Sequence, residues 1–284
     1  MNVIEFQGFS KRSGEFSLEN LNFAVPSGYI TGLIGPNGSG KTTLIRSIMN
    51  LIRPDRGGVR VFGQTYADQE RDIKRRIGFV YDEDFFYNHL SLTEMAKIIA
   101  SFYPTWNEQT FKKTLDDFRL PPRRLIRDLS KGMKTKFALA AALAHEPELL
   151  IMDEPTSGLD PVFRREILTI LSEYIQEGTR SVLFSTHISS DLERIADYIV
   201  YIRHGQVEFC GTKEELTDSY LLLKGPAEWL RTSGLNYTFL DVEHNELGFE
   251  GLIARSSYSE EAFGPQVRVE QPSLDDILVY TRRG

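Results

Sequence analysis

Gly35-Pro36-Asn37-Gly38-Ser39-Gly40-Lys41-Thr42 stands between an apolar run at residues 29–34 and a segment, 42–51, whose Leu44, Ile45, Ile48 and Leu51 fall on one helical face. The octet fits the pattern G-x-x-x-x-G-K-[ST], and a strand before it with a helix after it is the context that gives the pattern a mechanism. Its glycines let the backbone curl so that successive N–H groups face inward, and the helix that follows turns its positive end to the same place. A polyphosphate fits such a loop. Lys41 is placed to reach the outer phosphates and Thr42 to put its hydroxyl on Mg2+; Thr43 is counted with them.

Outward from the loop, residues 3–9 and 18–25 alternate apolar and polar side chains and read as an edge hairpin. Residues 59–62 and 77–81 read as further strands, and a helical insertion of about 84–145 follows, with helical periodicity over 91–145. Residues 149–152 and 180–185 are short apolar strands on either side of a helix-patterned 161–177, the rhythm of a parallel sheet with helical crossovers. A hairpin is expected from residues 198–202 and 207–211 across 203–206. Beyond 216, short strands at 238–242, 251–254 and 266–270 and a helix at 273–280 read as a small α/β appendix, so the expected domains are 1–216 and 217–284.

The length of 284 residues suits about two domains. With 33 Lys and Arg against 40 Asp and Glu the net charge is −7, which argues against a protein that holds nucleic acid mainly by charge. Hydrophobic residues at 41% and charged residues at 26% exclude a disordered chain. The lone cysteine, Cys210, makes no internal disulfide and suits a reducing compartment. No apolar stretch approaches the roughly 20 residues that cross a bilayer, and the first residues lack a secretory pattern, so a cytoplasmic location is expected.

The apolar run at 149–152 ends in Asp153-Glu154. Two carboxylates at the end of a buried parallel strand, beside a phosphate loop at the end of another, place Asp153 to hold Mg2+ and Glu154 to polarise an attacking water. A simple Asp-Glu-Pro turn is the plainer alternative, and the phosphate loop weighs against it. Ser130 precedes a helical run through Lys134, Phe137, Ala138, Ala141 and Ala142, so it reads as the capping residue of a helix with free backbone donors. An ordinary capped core helix is the alternative there.

The order of these features resembles the ATP-binding cassette (ABC) ATPases over residues 1 to about 216: the phosphate loop, Leu129-Ser130-Lys131-Gly132-Met133 as the signature, Asp153-Glu154, Ser157-Gly158-Leu159-Asp160 as the D-loop, and His187 as the switch histidine. The resemblance implies an α/β P-loop NTPase with a RecA-like core, an antiparallel β subdomain and a helical subdomain, binding ATP and Mg2+. It also implies a head-to-tail dimer, with itself or with a second ABC ATPase, in which each ATP lies between one subunit's loop and the other's signature. Gly35 to Thr43, Ser130, Gly132 and Asp160 then bind nucleotide, and Lys41, Glu154 and His187 are the catalytic groups, His187 sensing the γ-phosphate.

The chain departs from the family at three places. Lys131 and Met133 replace the usual Gly and Gln of the signature; Asp82 stands where a glutamine is usual, with Glu83 beside it, and reads either as an Mg2+-facing carboxylate or as part of a solvated acidic loop. No tyrosine lies at 11–16 to stack on adenine, which leaves Phe16, or the guanidinium plane of Arg12, for that role, and Phe16 reads equally as a core residue. His89, His145, His204 and His244 form no metal-like cluster and read as surface or core residues.

An ABC ATPase without membrane segments resembles the nucleotide-binding subunit of a transporter whose transmembrane permease subunits are separate polypeptides, peripheral on the inner face of the cell membrane. Phe85, Phe86 and Tyr87 are candidates for gripping that permease, or for packing inside the helical insertion. The signature, the acidic residues 82–84 and Pro272-Ser273-Leu274-Asp275-Asp276-Ile277 look like the bacterial antibiotic and peptide export branch, which includes ATPases that secrete amphipathic peptides such as phenol-soluble modulins. The alternative is a soluble ABC ATPase of translation or DNA maintenance; a single cassette and the lack of sustained heptads weigh against it. No nucleic-acid partner is expected.

Overall fold

The structure, a computed structural model, describes residues 1–81, 85–176, 178–234 and 238–281. The chain divides into two compact units, Met1–His187 with Ile195–Cys210, and Ile188–Arg194 with Gly211–Gly284.

In the first unit β1 (Asn2–Ser13) and β2 (Phe16–Pro26) pair antiparallel from Asn2↔Pro26 to Ser13↔Phe16. The pleat buries Ile4, Phe6, Phe9, Leu18, Leu21 and Val25. β3 (Ile30–Ile34) is buried at every residue and leads through the phosphate loop into α1 (Lys41–Ile48). The periodic pattern continues beyond that helix, yet the helix ends because Asn50 adopts φ 54, a left-handed terminating position. β4 (Arg56–Val61) completes a three-stranded sheet of order β2-β1-β4. α2 (Tyr66–Arg75) then runs to β5 (Ile77–Val80). No helix is expected from the sequence at α2, since Ile73 is the one fully buried residue among its described side chains.

Among the described residues the insertion holds three α-helices, α3 (Leu92–Ala100), α4 (Glu108–Asp117) and α5 (Lys131–Leu143). Each begins where a side chain satisfies orphan backbone donors: Ser91 in a reciprocal box with Glu94, Asn107 accepting from Gln109 and Thr110, and Ser130 accepting from Met133. β6 (Leu149–Asp153), α6 (Pro161–Tyr174), β7 (Ser181–Thr186), α7 (Ser189–Ile195), β8 (Tyr198–Arg203) and β9 (Gln206–Thr212) follow in chain order. The second sheet has six strands in the order β5-β6-β7-β3-β8-β9. It is parallel from β5 to β8. β9 returns through His204 and Gly205, whose φ values of 47 and 75 suit a two-residue hairpin turn. The register sets Asp153 level with Ser185, and Ser185 level with Leu33.

Beside this sheet, Arg46 of α1 donates through Nε to the Tyr81 hydroxyl at 2.6 Å, and the Tyr81 ring packs on Phe85 with centroids 5.5 Å apart. His145, past the end of α5, is buried with its ring stacked on Tyr103 at 3.8 Å.

The second unit contains α7 together with α8 (Lys213–Asp218), β10 (Tyr220–Gly225), α9 (Ala227–Thr232), β11 (Asp241–His244), β12 (Phe249–Ala254), α10 (Glu260–Phe263), β13 (Arg268–Glu270) and α11 (Leu274–Thr281). Its four-stranded antiparallel sheet, β11-β12-β10-β13, has β10 inside it, a strand not expected from the sequence. Trp229 stacks on both Phe249 and Phe263, forming an apolar core with Leu221, Leu223 and Ile253. α7 joins this unit: Ser189 Oγ donates to Asp275 at 2.8 Å, and Glu193 accepts from the Leu274 N–H at 2.8 Å.

Burial pushes the His145 imidazole down to about 4 from 6.5. The folded protein keeps the ring neutral while the unfolded chain takes up a proton, so this part of the stability is complete above the unfolded value and drains away as pH falls from 6.5 towards 4. Urea unfolding is expected to lose about 2 kcal/mol between pH 7.5 and 5 through this residue, and the His145→Phe variant, which keeps a ring on Tyr103, to show a correspondingly flatter profile.

Candidate functional site

The site is built where the strands of the parallel sheet end. Gly35 leaves β3 so close to β8 that a Cβ there would lie 2.1 Å from the Ile202 carbonyl oxygen. Gly40, the residue before α1, has φ 111, and a Cβ on it would lie 2.7 Å from Leu18 Cδ2 and 3.0 Å from Phe16 Cζ. These two positions accept only glycine, and between them Pro36 to Ser39 curve over the start of α1. The first N–H groups of a helix have no partner within it, so α1 presents donors to the loop. Lys41 is 6% exposed, and its Nζ folds back to donate to the carbonyls of Gly35 at 2.8 Å and Pro36 at 3.3 Å.

Two strands away, β6 delivers Asp153 and Glu154. Asp153 is buried, and its Oδ1 accepts from Ser185 Oγ at 2.5 Å across the β6–β7 register. Glu154 takes φ 49, in the left-handed region that a non-glycine residue rarely enters. Its N–H donates to the Ser185 carbonyl at 3.1 Å and to Ser185 Oγ at 3.2 Å. Glu154 Oε1 lies 3.8 Å from Lys41 Nζ, while Oε2 lies 2.6 Å from His187 Nδ1 and accepts from the His187 backbone N–H at 3.3 Å. Lys41, Asp153, Glu154 and His187 therefore converge at the carboxyl ends of β3, β6 and β7, where ligands of open parallel sheets collect. The Glu154 side chain is 16% exposed and that of His187 44%, so the carboxylate sits at the mouth of the site with an ammonium on one side and an imidazole on the other.

The residues present fit a nucleotide and its metal. Ser39 Oγ is buried with no hydrogen-bond partner among the described residues, an orphaned donor in the loop that a phosphate oxygen would satisfy. Thr42 is exposed in the first turn of α1. Thr42 and Asp153 each offer a hard oxygen donor of the kind Mg2+ takes, a cation that needs few protein ligands alongside substrate phosphates. Asp82 lies outside the described residues. Thr43, the next residue of α1, is half-buried.

Phe16 packs partly on the core and also lines a cleft of about 370 Å3 next to Pro36, Asn37 and Ser39. Arg12 is exposed, with its backbone N–H donating to Asp55 at 2.8 Å. Ser130 is exposed and caps α5; Asp160 is exposed and caps α6, accepting from Val162 at 3.1 Å and Phe163 at 3.0 Å. Gly132 lies against Leu159, 3.4 Å from its Cδ2 at the Cβ position, which sets the signature segment beside the D-loop turn. Of the three aromatics after the acidic stretch, Phe86 packs edge-on against Phe137, whereas Phe85 and Tyr87 are 73% and 56% exposed.

Sequence reasoning missed two residues. Ser185 is a polar residue in a strand otherwise read as apolar, and that polarity was its signal. His204 joins Phe16 on the 370 Å3 cleft. Its signal was a histidine where Asn commonly precedes Gly in a tight hairpin.

The loop, the strand order and the paired carboxylates define a P-loop ATPase fold, and comparison with known proteins narrows it. The chain matches the family model described as ABC transporter over residues 18–157. It is 36% identical over 208 residues to the bacitracin transport ATP-binding protein BcrA of Enterococcus faecalis, a match covering 72% of this chain and 68% of that one. It is 32% identical over 231 residues to the lantibiotic transport ATP-binding protein SrtF of Streptococcus pyogenes, covering 78% and 99%. A solved chain described as the ATP-binding subunit of an ABC transporter matches with a TM-score of 0.70 at 31% identity, covering 75% of this chain and 91% of that one. The chain belongs to the ABC transporter ATP-binding family and is an ATPase subunit of it. Among the described residues no helix is long and apolar enough to cross a membrane.

Ser185→Ala removes one donor from a buried carboxylate and one acceptor from the Glu154 N–H. Chemical denaturation is expected to show a loss of about 1–3 kcal/mol, larger than for Ser172→Ala, whose hydroxyl bonds only within its own helix.

Proposed function

We propose that this chain hydrolyses ATP at the Lys41, Asp153, Glu154 and His187 site, as one of two ATPase subunits that drive export of a peptide or antibiotic through separate permease subunits. The observation that carries the reading is the Glu154 carboxylate, held 3.8 Å from Lys41 Nζ and 2.6 Å from His187 Nδ1 at the mouth of the phosphate loop. The backbone of Gly35 to Thr43 binds the phosphates, and Lys41 exchanges its two carbonyl partners for phosphate oxygens. Thr42 and Asp153, with Asp82, hold Mg2+, which supplies neutralising charge to the phosphates. Glu154 accepts a proton from the attacking water, and His187 orients that carboxylate while facing the γ-phosphate. Phe16 offers the base a flat surface.

A second subunit closes over the nucleotide with its Ser130, Gly132 and Asp160, and contacts made through the γ-phosphate favour the closed pair until hydrolysis removes them. Exposed Ser130 at the start of α5 and the neighbouring Gly132–Leu159 contact support this arrangement. The permease docks on a cleft of about 560 Å3 lined by Phe85, Tyr87, Ile98 and Phe102 together with Arg71 and Lys74 of α2, and holds the chain on the inner face of the membrane. The names of BcrA and SrtF, for bacitracin and lantibiotic transport, support a peptide antibiotic as the substrate class.

Glu154→Gln is expected to keep ATP affinity, to lose hydrolysis by about 10²–10⁴-fold, and to accumulate as an ATP-dependent dimer in analytical ultracentrifugation. Hydrolysis at the parent rate would remove Glu154 from the mechanism. Phe85→Glu is expected to abolish co-purification with the permease from detergent-solubilised membranes while the isolated subunit hydrolyses ATP as before; retention of the permease would move the docking site elsewhere.

A further inference from the structure

The hairpin turn between β8 and β9 brings to the phosphate loop a side chain that neither the motifs nor the family resemblance singles out. His204 lines the 370 Å3 cleft together with Phe16 and Ser17 from the start of β2 and with Pro36, Asn37 and Ser39 from the loop. The cleft is thus lined by loop backbone at Pro36 to Ser39 and by two aromatic rings, with Glu15 beside them. Phe16 is the inner of these, half-buried on the core, and His204 is the outer, exposed one.

The position of His204 is held on both sides. Gly205, with φ 75, approaches β2 so closely that a Cβ on it would lie 2.0 Å from the Ser17 carbonyl oxygen and 3.6 Å from Phe16 Cζ. Gln206 Nε2 donates to the Glu19 carbonyl at 3.4 Å, and Arg203 Nε donates to Glu208 at 3.2 Å. The turn is therefore seated on the first residues of β2, the strand that also carries Phe16. His204 itself has φ 47, a conformation in which Asn is the favoured residue of such a turn. The imidazole is thus not what the hairpin needs; it adds an exposed flat ring, with a polar edge, to the lining of the cleft.

We propose that His204 is a base-positioning residue, whose imidazole and the Phe16 phenyl together hold the purine ring of the nucleotide bound at the phosphate loop. The proposal rests on the nucleotide-site reading given under Proposed function. A base stacked on an aromatic side chain gains about tenfold in affinity or more, whatever its hydrogen-bonding edge.

The test uses the full chain and its His204→Asn variant, which removes the ring while giving the turn the residue its backbone favours. Each is titrated by calorimetry with ATP and with inorganic tripolyphosphate, which occupies the loop but has no base. ATP affinity is expected to fall about tenfold in His204→Asn with tripolyphosphate affinity unchanged, and His204→Tyr to recover most of the loss. ATP affinity within twofold of the parent would overturn the proposal. A parallel loss for both ligands would also overturn it, because the turn would then act only on the shape of the loop. Lys41→Ala separates the two readings: if it leaves ATP affinity untouched the nucleotide site itself is wrong and this proposal falls with it, whereas loss of binding in Lys41→Ala with no change in His204→Asn sinks the role of His204 alone.

Discussion

The register of β6, β7 and β3 is the constraint on which the rest of the structure depends. Because neighbouring strands run parallel and in the order β6-β7-β3, their carboxyl ends open on the same side of the sheet. Ser185 lies level with both Asp153 and Leu33, so a carboxylate from one strand and a phosphate loop from another are brought together by backbone pairing alone. Side-chain direction alternates along a strand, and a slip of one residue in β6 would turn Asp153 away from Ser185. The 2.5 Å hydrogen bond between Ser185 and Asp153 is the side-chain counterpart of that register.

Charge placement in the site follows from burial. A lysine ammonium that is 6% exposed has to be satisfied, and Lys41 is satisfied by two loop carbonyls and the nearby Glu154 carboxylate. Glu154 reaches this place because the chain turns into the left-handed region directly after β6; an extended residue there would continue the line of the strand. The backbone strain at Glu154 and the cramped glycines at 35 and 40 belong to the same device, which trades conformational comfort for a fixed array of donors and acceptors.

Much of this was legible in the sequence, for physical reasons that can be named. Buried parallel strands leave short, mostly apolar runs, so β3, β6 and β7 were visible, and the pairing of Gly35–Thr42 with Asp153-Glu154 pointed to one site. Ser130 announced a helix start because its side chain does what the backbone lacks there, whereas the equivalent caps at Ser91 and Asn107 emerge only in the structure. Less was legible where burial is one-sided or contacts are distant. α2 shows a mainly polar exterior around Ile73, which gives no apolar period to read. β10 is a run of leucines next to a charged segment, and nothing local says that it lies between β12 and β13. The attachment of α7 to the second unit depends on Asp275 and Leu274, more than 80 positions further along the chain. His204 was hidden for a similar reason: its neighbours on the cleft come from β2 and the phosphate loop, far away in sequence.

The hydrogen bond from Arg46 to Tyr81 gives the helix behind the phosphate loop a mechanical attachment. Its donor is a guanidinium on α1, and its acceptor is the phenol whose ring rests on Phe85, a residue lining the 560 Å3 cleft. A shift of α1 along its axis must either rupture a charge-assisted bond at 2.6 Å or drag Tyr81 with it, and a pull on Phe85 travels the same way in reverse. Two rings and one arginine thus form a short tow-bar between the helix that follows the loop and the wall of the cleft.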